Sequence, residues 1–453
     1  MRNTLPNAAI LNAGCRTEKE LDSREASTGS SRSLRKGAPP KIEGENGAVF
    51  VARQPIFDRG QHVYGYELLF RQGVGHVLDS RGDSATSSVL TNSFSLIGME
   101  TLTSGKRAFI NFTRNLLLRQ VATTLPADMV AVEILEDVEP DPLTLEACRK
   151  LKERGYMLVL DDFVYTPRLA PLVRMADIIK IDFLNTSIED RERLPRELGN
   201  PEVKYLAEKV ETKEDFQMAL DFGYHYIQGY FFSKPETISV HDIPGYKLNY
   251  LYTLYEINQP QINFDSLEAV ILREVSLSYK LLRFINSAFF NLRHRIKTVR
   301  HALMLLGTEE IRKWASLVAL SGMGADKPDE LAVLSAMRGR FFELLAMECG
   351  FERNRTDLYM MGLFSLVDAF TDVPMEDVLK KLPLNDDVKR ALGHEGGRYE
   401  PIYQLALAYE EANWERVSEL SSILQNGEAV VPRLYQEAVA WANQIFYNED
   451  NVD

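Results

Sequence analysis

The sequence predicts two structural classes in succession, α/β and then all-α: a closed (β/α) barrel followed by an all-helical domain. Three observations carry this. In the first half, short apolar runs of strand length alternate with longer amphipathic segments, the pattern of a parallel sheet fed by helices. A polar side chain recurs late in or just after each of those runs. Beyond about Ser239 the short runs give way to apolar residues at helical spacing.

The runs, in order, are VYGYELLF, RAFINF, MVAVEIL, YMLVLDDF, DIIKIDF, KYLAEKV and YIQGYFF. Each is β-branched or aromatic and of strand length. The charged segment PLTLEACRKLKERG suits a connecting helix that stops at Gly155. In the second half, DSLEAVILREVSLSYKLLRFINSAFF places Leu267, Val270, Ile271 and Glu274 at helical spacing. The segments ending at Gly307, Met323 and Gly350 do likewise. The stretch PETISVHDIPGY reads as the junction.

The polar residues inside the strands are Glu67, Asn111, Glu133, Asp161, Asp162, Asp182, Glu208 and Gln228. A buried strand has no structural use for a carboxylate, because an unpaired one is expensive to desolvate. A closed barrel explains all of them together, since the C-terminal strand ends converge on one mouth. The competing arrangement, an open doubly wound sheet with scattered acids, lacks the GxGxxG or GxxxxGK[ST] loop that would support it.

At 453 residues with 45% hydrophobic side chains, the chain can bury more than one core. We expect a flexible tail over 1–47, the barrel over 48–238, the helical domain over 239–447 and a short tail over 448–453. A net charge of −13 argues against general nucleic-acid binding or direct membrane attachment, both of which reward a basic surface. No apolar run reaches the roughly 18 residues of a membrane span. Near Cys15 the apolar stretch Ala8 to Leu11 is too short for a secretion signal. The three cysteines form neither a CxxC pair nor a disulfide framework, which suits a cytoplasmic protein.

The acids and Asn111 form an all-oxygen donor set, which favours Mg²⁺, Mn²⁺ or Ca²⁺ over zinc. The adjacent Asp161–Asp162 suit a two-metal site, in which cations about 4 Å apart clamp a phosphodiester and acidify a water. A further carboxylate can then take that water's proton. Lys180 can balance the charge and hold a phosphate oxygen or the water. Arg71 can grip a phosphate through its planar fork.

The ordered motifs ARQPIFD, GYELLFR, INF, VEILE, LDDF, KID, AEKVET and QGYFFSKP resemble EAL domains, over residues 51–235. The resemblance implies a TIM-like barrel and a phosphodiesterase that opens cyclic di-GMP to linear pGpG with Mg²⁺ or Mn²⁺. By position it assigns metal binding to Glu67, Asn111, Glu133, Asp161 and Asp162. It implies catalytic roles for Glu208 as general base, Lys180 beside the catalytic water, and Glu211. Gln54, Arg71 and Gln228 would line the substrate. The sequence departs from the family at two places. The glycine-rich loop after the paired aspartates reads VYTPRLAPL here, and Lys209 replaces the glycine beside the proposed base. Proline and β-branched residues restrict that loop.

LSYKLLRFINSAFF followed by IKTVRHALMLLG resembles the HDOD domain, an output or interaction module related to HD-type hydrolases. The combination resembles the YuxH-like EAL–HDOD proteins. Ser365 stands where a metal-binding histidine would be expected, and His241–Asp242 is an HD dipeptide by letters only. Arg293, His294, Arg295, Lys297 and Arg300 form a basic cluster that reads first as a solvated helix face or loop, with a contact for an acidic partner as the sharper alternative. Asn286 and Ser287 suit a helix cap and turn.

Two functions follow. One is a metal-dependent cyclic-di-GMP phosphodiesterase coupled to an HDOD interaction domain. The other is a catalytically inactive receptor or scaffold that binds the dinucleotide, a protein, or both. The resemblance also implies a protein partner for the helical domain and a homodimer.

Overall fold

A computed structural model describes residues 49–72, 98–197, 202–234, 245–259 and 294–447, with isolated positions between 265 and 286. All belong to one compact unit, Gly44–Asp453. The expected tails, most of the junction, His241–Asp242, Ser287 and Arg293 lie outside the described residues.

Eight strands close into a barrel in sequence order: β1 Val49–Asp58, β2 Val63–Gln72, β3 Arg107–Phe112, β4 Val130–Ile134, β5 Met157–Leu160, β6 Ile178–Asp182, β7 Lys204–Glu208 and β8 Tyr226–Gln228. Strand β1 corrects the expectation of a wholly parallel sheet, for it runs antiparallel to both β2 and β8. Only four residues separate β1 from β2. A parallel crossover needs a dozen or more. Asp58 closes that turn by accepting hydrogen bonds from the N–H groups of Gly60 (2.8 Å) and His62 (3.0 Å). Pro55 is tolerated within β1 because pairing with β8 reaches only Ile56 to Asp58.

Side chains two apart on a strand share a face, and this period builds the mouth. Ile56, Phe109, Ala131, Val159, Ile178, Leu206 and Tyr226 form one buried apolar cluster at the barrel floor. On β3 through β8, each floor residue is followed two positions later by a polar one: Asn111, Glu133, Asp161, Lys180, Glu208 and Gln228. On the antiparallel β1 the order reverses, so Gln54 precedes Ile56. Gln54 pairs in register with Glu67 of β2.

The connecting helix Pro142–Glu153 starts where Asp141 accepts from the N–H groups of Leu143 (2.8 Å) and Thr144 (2.9 Å). It stops before Gly155, whose φ of 85° suits glycine.

The second half is helical. Its longer elements are Val299–Met323, broken at Gly307, then Asp329–Glu348, Arg355–Phe364, Glu400–Glu410, Trp414–Leu424 and Val431–Phe446. Gly362 lies so close to the Arg338 carbonyl that an added Cβ would sit 2.4 Å from it, which lets two helices nearly touch. One buried apolar cluster runs from Phe50 and Tyr66 of the barrel into Phe341, Tyr409 and Tyr435 of the helices. Polar contacts reinforce it. The Tyr66 hydroxyl donates to Glu330 (2.9 Å), the Val51 N–H donates to the Tyr409 hydroxyl (3.3 Å), and Asn443 donates to the Thr101 carbonyl (2.6 Å). Among the described residues, no helix is long and apolar enough to cross a membrane.

Candidate active site

Lys180 stands at the centre of the mouth with no exposed surface. Its Nζ lies 2.7 Å from Glu208 Oε1, 2.8 Å from Asp161 Oδ1, 2.9 Å from Glu133 Oε1 and 3.2 Å from Glu67 Oε2. The four acids come from four different strands, from within β2 and from the ends of β4, β5 and β7. Around Glu67, Asn111 donates to Oε1 (3.1 Å) and Gln228 donates to Oε2 (2.7 Å). Gln228 also reaches Gln54 Oε1 at 3.3 Å. Residues spread over more than 170 positions thus share one polar constellation.

Four carboxylates cannot all be ionised around one ammonium without strain on their charge states. Burial pushes the Glu208 carboxyl up to about 8, against the pull of Lys180. Burial and the neighbouring Glu67 hold Glu133 well above the usual carboxylate range. Asp161 is raised by burial as well, with Lys180 opposing. Glu67 ends below its ordinary value, because Lys180, Gln228 and Asn111 together outweigh its burial. For Lys180 burial acts downward, yet the surrounding carboxylates carry it well above the normal lysine value. These perturbations converge on one cleft, as expected of a functional centre.

The donor chemistry fits a hard divalent cation. Oε2 of the fully buried Glu133 has no hydrogen-bond donor, and Oε1 has only the Lys180 ammonium at 2.9 Å. Asn111 Oδ1, Glu208 Oε2 and Gln228 Oε1 are likewise buried acceptors without donors. Buried acceptors left in this way are expensive, and a cation satisfies them at once. Among the described residues, no three acidic or imidazole side chains already converge at metal-binding distance. The carboxylates lean instead towards the Lys180 ammonium.

Three expected site residues stand elsewhere. Arg71 does not face the mouth; its guanidinium is buried against the last helices. It donates to the Trp414 carbonyl (2.8 Å), pairs with Glu428 and lies over the Phe50 ring (4.5 Å). The position extends β2 beyond the barrel rim, where the helical half covers it. Glu211 is nearly half exposed and pairs with Lys234 at 2.7 Å, apart from the Lys180 cluster. Asp162 is also nearly half exposed, with a left-handed φ of 42°, and turns towards Lys209 at 3.4 Å. In the sequence Lys209 stands out only as a departure from the family motif. It also contacts Asp182 at 2.6 Å.

Because Arg71 neutralises the buried Glu428, Arg71→Ala should lower stability by about 3–5 kcal/mol, read as a fall in melting temperature. Unchanged stability with a raised KM would return Arg71 to the substrate.

In the helical half, Ser365 is buried, donates to the Gly362 carbonyl (2.7 Å) and accepts from Arg338 (3.1 Å). Asn286 clasps Ile296 through both backbone groups, at 2.7 and 2.8 Å, which closes a turn. His294, Arg295, Lys297 and Arg300 are exposed, and Arg300 pairs with Glu268 at 2.8 Å.

The EAL domain family matches residues 88–235 and the HDOD domain family matches residues 249–371. YuxH of Bacillus subtilis (strain 168) is 38% identical over 408 residues, covering 88% of this chain and 98% of the relative. The chain belongs to the EAL–HDOD family. A second relative of this EAL–HDOD chain is the cyclic di-GMP phosphodiesterase CdgJ of Vibrio cholerae. It is 35% identical over 392 residues, which cover 84% of this chain and 90% of CdgJ. Solved structures are more distant. A manganese and cyclic-di-GMP complex of Klebsiella pneumoniae BlrP1 is 22% identical over 43% of this chain, with a TM-score of 0.36; the match spans 57% of that structure, under two thirds of its length. An EAL domain protein from Listeria monocytogenes is 18% identical over 41% of this chain, with a TM-score of 0.33.

Proposed function

We propose that this EAL–HDOD chain is a divalent-cation-dependent phosphodiesterase that opens cyclic di-GMP to linear pGpG. The observation that carries the reading is the buried ring of Glu67, Glu133, Asp161 and Glu208 around Lys180, with donor-free oxygens on Glu133, Asn111 and Glu208. The naming of CdgJ as a cyclic di-GMP phosphodiesterase supports the substrate.

In this reading Glu67, Asn111, Glu133 and Asp161 hold Mg²⁺ or Mn²⁺. When bound, the cation supplies Lewis-acid stabilisation and a more acidic water. Glu208, raised by burial, takes the proton of the attacking water on Oε2, which no donor occupies. Lys180 neutralises the acids and holds them at one spacing. Gln54 and Gln228 present amides to the dinucleotide. The helical half serves as the docking module for a protein partner. Exposed Val164 and Tyr165 beside the mouth offer apolar surface for self-association.

A receptor function is the second reading, favoured by the capture of Arg71 in the helical interface and of Asp162 by Lys209. The deciding test is incubation of the purified full chain with cyclic di-GMP and Mg²⁺ or Mn²⁺, following pGpG by chromatography. We expect pGpG to accumulate. Binding in Ca²⁺ by calorimetry, with no product in Mg²⁺ or Mn²⁺, would select the receptor. Neither binding nor product would refute both.

A further inference from the structure

The mouth carries a second cationic side chain that the proposed chemistry does not use. Lys209 follows Glu208 at the end of β7 and adopts a left-handed φ of 55°. That conformation is strained for a side-chain-bearing residue and free for glycine. It swings the ammonium to 2.6 Å from Asp182 Oδ2 and 3.4 Å from Asp162 Oδ1.

Asp182 cannot follow the lysine outward. Its Oδ1 accepts from the N–H groups of Leu184 (2.7 Å) and Asn185 (3.0 Å), and its Oδ2 accepts from the Asn185 amide (2.7 Å). The carboxylate is nearly buried, so it needs its counter-charge in place. Asp162, the neighbour of Asp161, contacts the same ammonium through its own left-handed backbone. The two positions differ in what their ammonium leaves open. Lys180 touches four acids yet leaves Glu133 Oε2, Asn111 Oδ1 and Glu208 Oε2 buried without donors; beside Lys209 both oxygens of Asp182 are already engaged.

We propose that the Lys209 ammonium stands where a two-cation site would hold its second ion, so that this barrel binds one divalent cation per chain. The proposal rests on the reading of the mouth as a cation site. It replaces the two-metal expectation with a metal-plus-ammonium pair. A second dication on Asp162 would have to compete with the Lys209 ammonium for Oδ1, and Asp182 beside it offers no oxygen that is not already engaged.

The test is Mn²⁺ titration of the full chain, with free Mn²⁺ counted by its EPR signal, on wild type, Lys209→Gly and Lys209→Arg. Glycine suits the left-handed backbone, so that variant should fold, and a melting curve checks it. We expect one Mn²⁺ per chain in wild type and in Lys209→Arg. Lys209→Gly should double this to two, with the broadened spectrum of a coupled ion pair. Two ions in wild type would overturn the proposal and leave the cation site standing. One ion in both wild type and Lys209→Gly would overturn it as well. No bound ion in any variant would overturn the cation site and the proposal together.

Discussion

Replacing Lys180 by methionine is expected to destabilise the cation-free chain by about 3–5 kcal/mol near pH 8, the usual penalty for removing one partner of a buried ion pair. The side chain has no exposed surface and faces Glu67, Glu133, Asp161 and Glu208 within 3.2 Å. Methionine preserves the volume, so the loss isolates charge rather than packing. Thermal denaturation in chelator measures it. A melting temperature within a degree or two of wild type would mean that water, not Lys180, sustains the acids.

The same variant has a predictable pH signature. Glu133, Asp161 and Glu208 have folded-state values raised by burial, with Glu208 at about 8. Between the ordinary carboxylate value and these raised ones, the folded state binds more protons than the unfolded state. Stability from such groups is full below the unfolded value and is lost as pH rises through the folded one. Wild type should therefore weaken from about pH 5 to pH 8. Without Lys180 the carboxyls rise further, so the gap between variant and wild type should widen over the same window and shrink towards pH 5. A gap that is constant with pH would argue against charge as its source.

The mouth was legible because a strand has a period of two. Once Asn111, Glu133, Lys180, Glu208 and Gln228 are seen two positions after Phe109, Ala131, Ile178, Leu206 and Tyr226, one layer of the barrel is apolar and the next polar. The ordered motifs then assigned the positions. Strand β1 was less visible. Its pattern includes Arg53 and Pro55, and its antiparallel direction depends on a turn only four residues long. The surroundings of Arg71 were hidden for a different reason. Its spacing from Glu67 puts it on the inward face, but nothing local announces that Trp414 and Glu428, more than 340 residues away, cover that end of β2. Glu211 lies beyond the strand end, where chain direction no longer follows the two-residue period, and Lys234 draws it to the rim. For Lys209 the sequence showed the substitution. The left-handed backbone that sends its ammonium to Asp182 is a tertiary outcome.

Glu208→Gln should reduce turnover of cyclic di-GMP by about 10²–10⁴, the usual worth of a positioned general base, while leaving the chain folded. The amide oxygen can keep the 2.7 Å approach to Lys180. The amide nitrogen cannot accept a proton, so Oε2 loses its role. Stability gives the control its sign. Because burial raises Glu208 to about 8, its ionisation opposes folding as pH climbs towards that value. A neutral glutamine removes this term, so the variant should melt at or above the wild-type temperature at pH 8. In wild type, kcat/KM should rise with pH on the acid side as Glu208 loses its proton, and the residual activity of the variant should lack that limb. A variant that is both more stable and nearly inactive cannot have failed by unfolding. One that retains its turnover would transfer the base to another group.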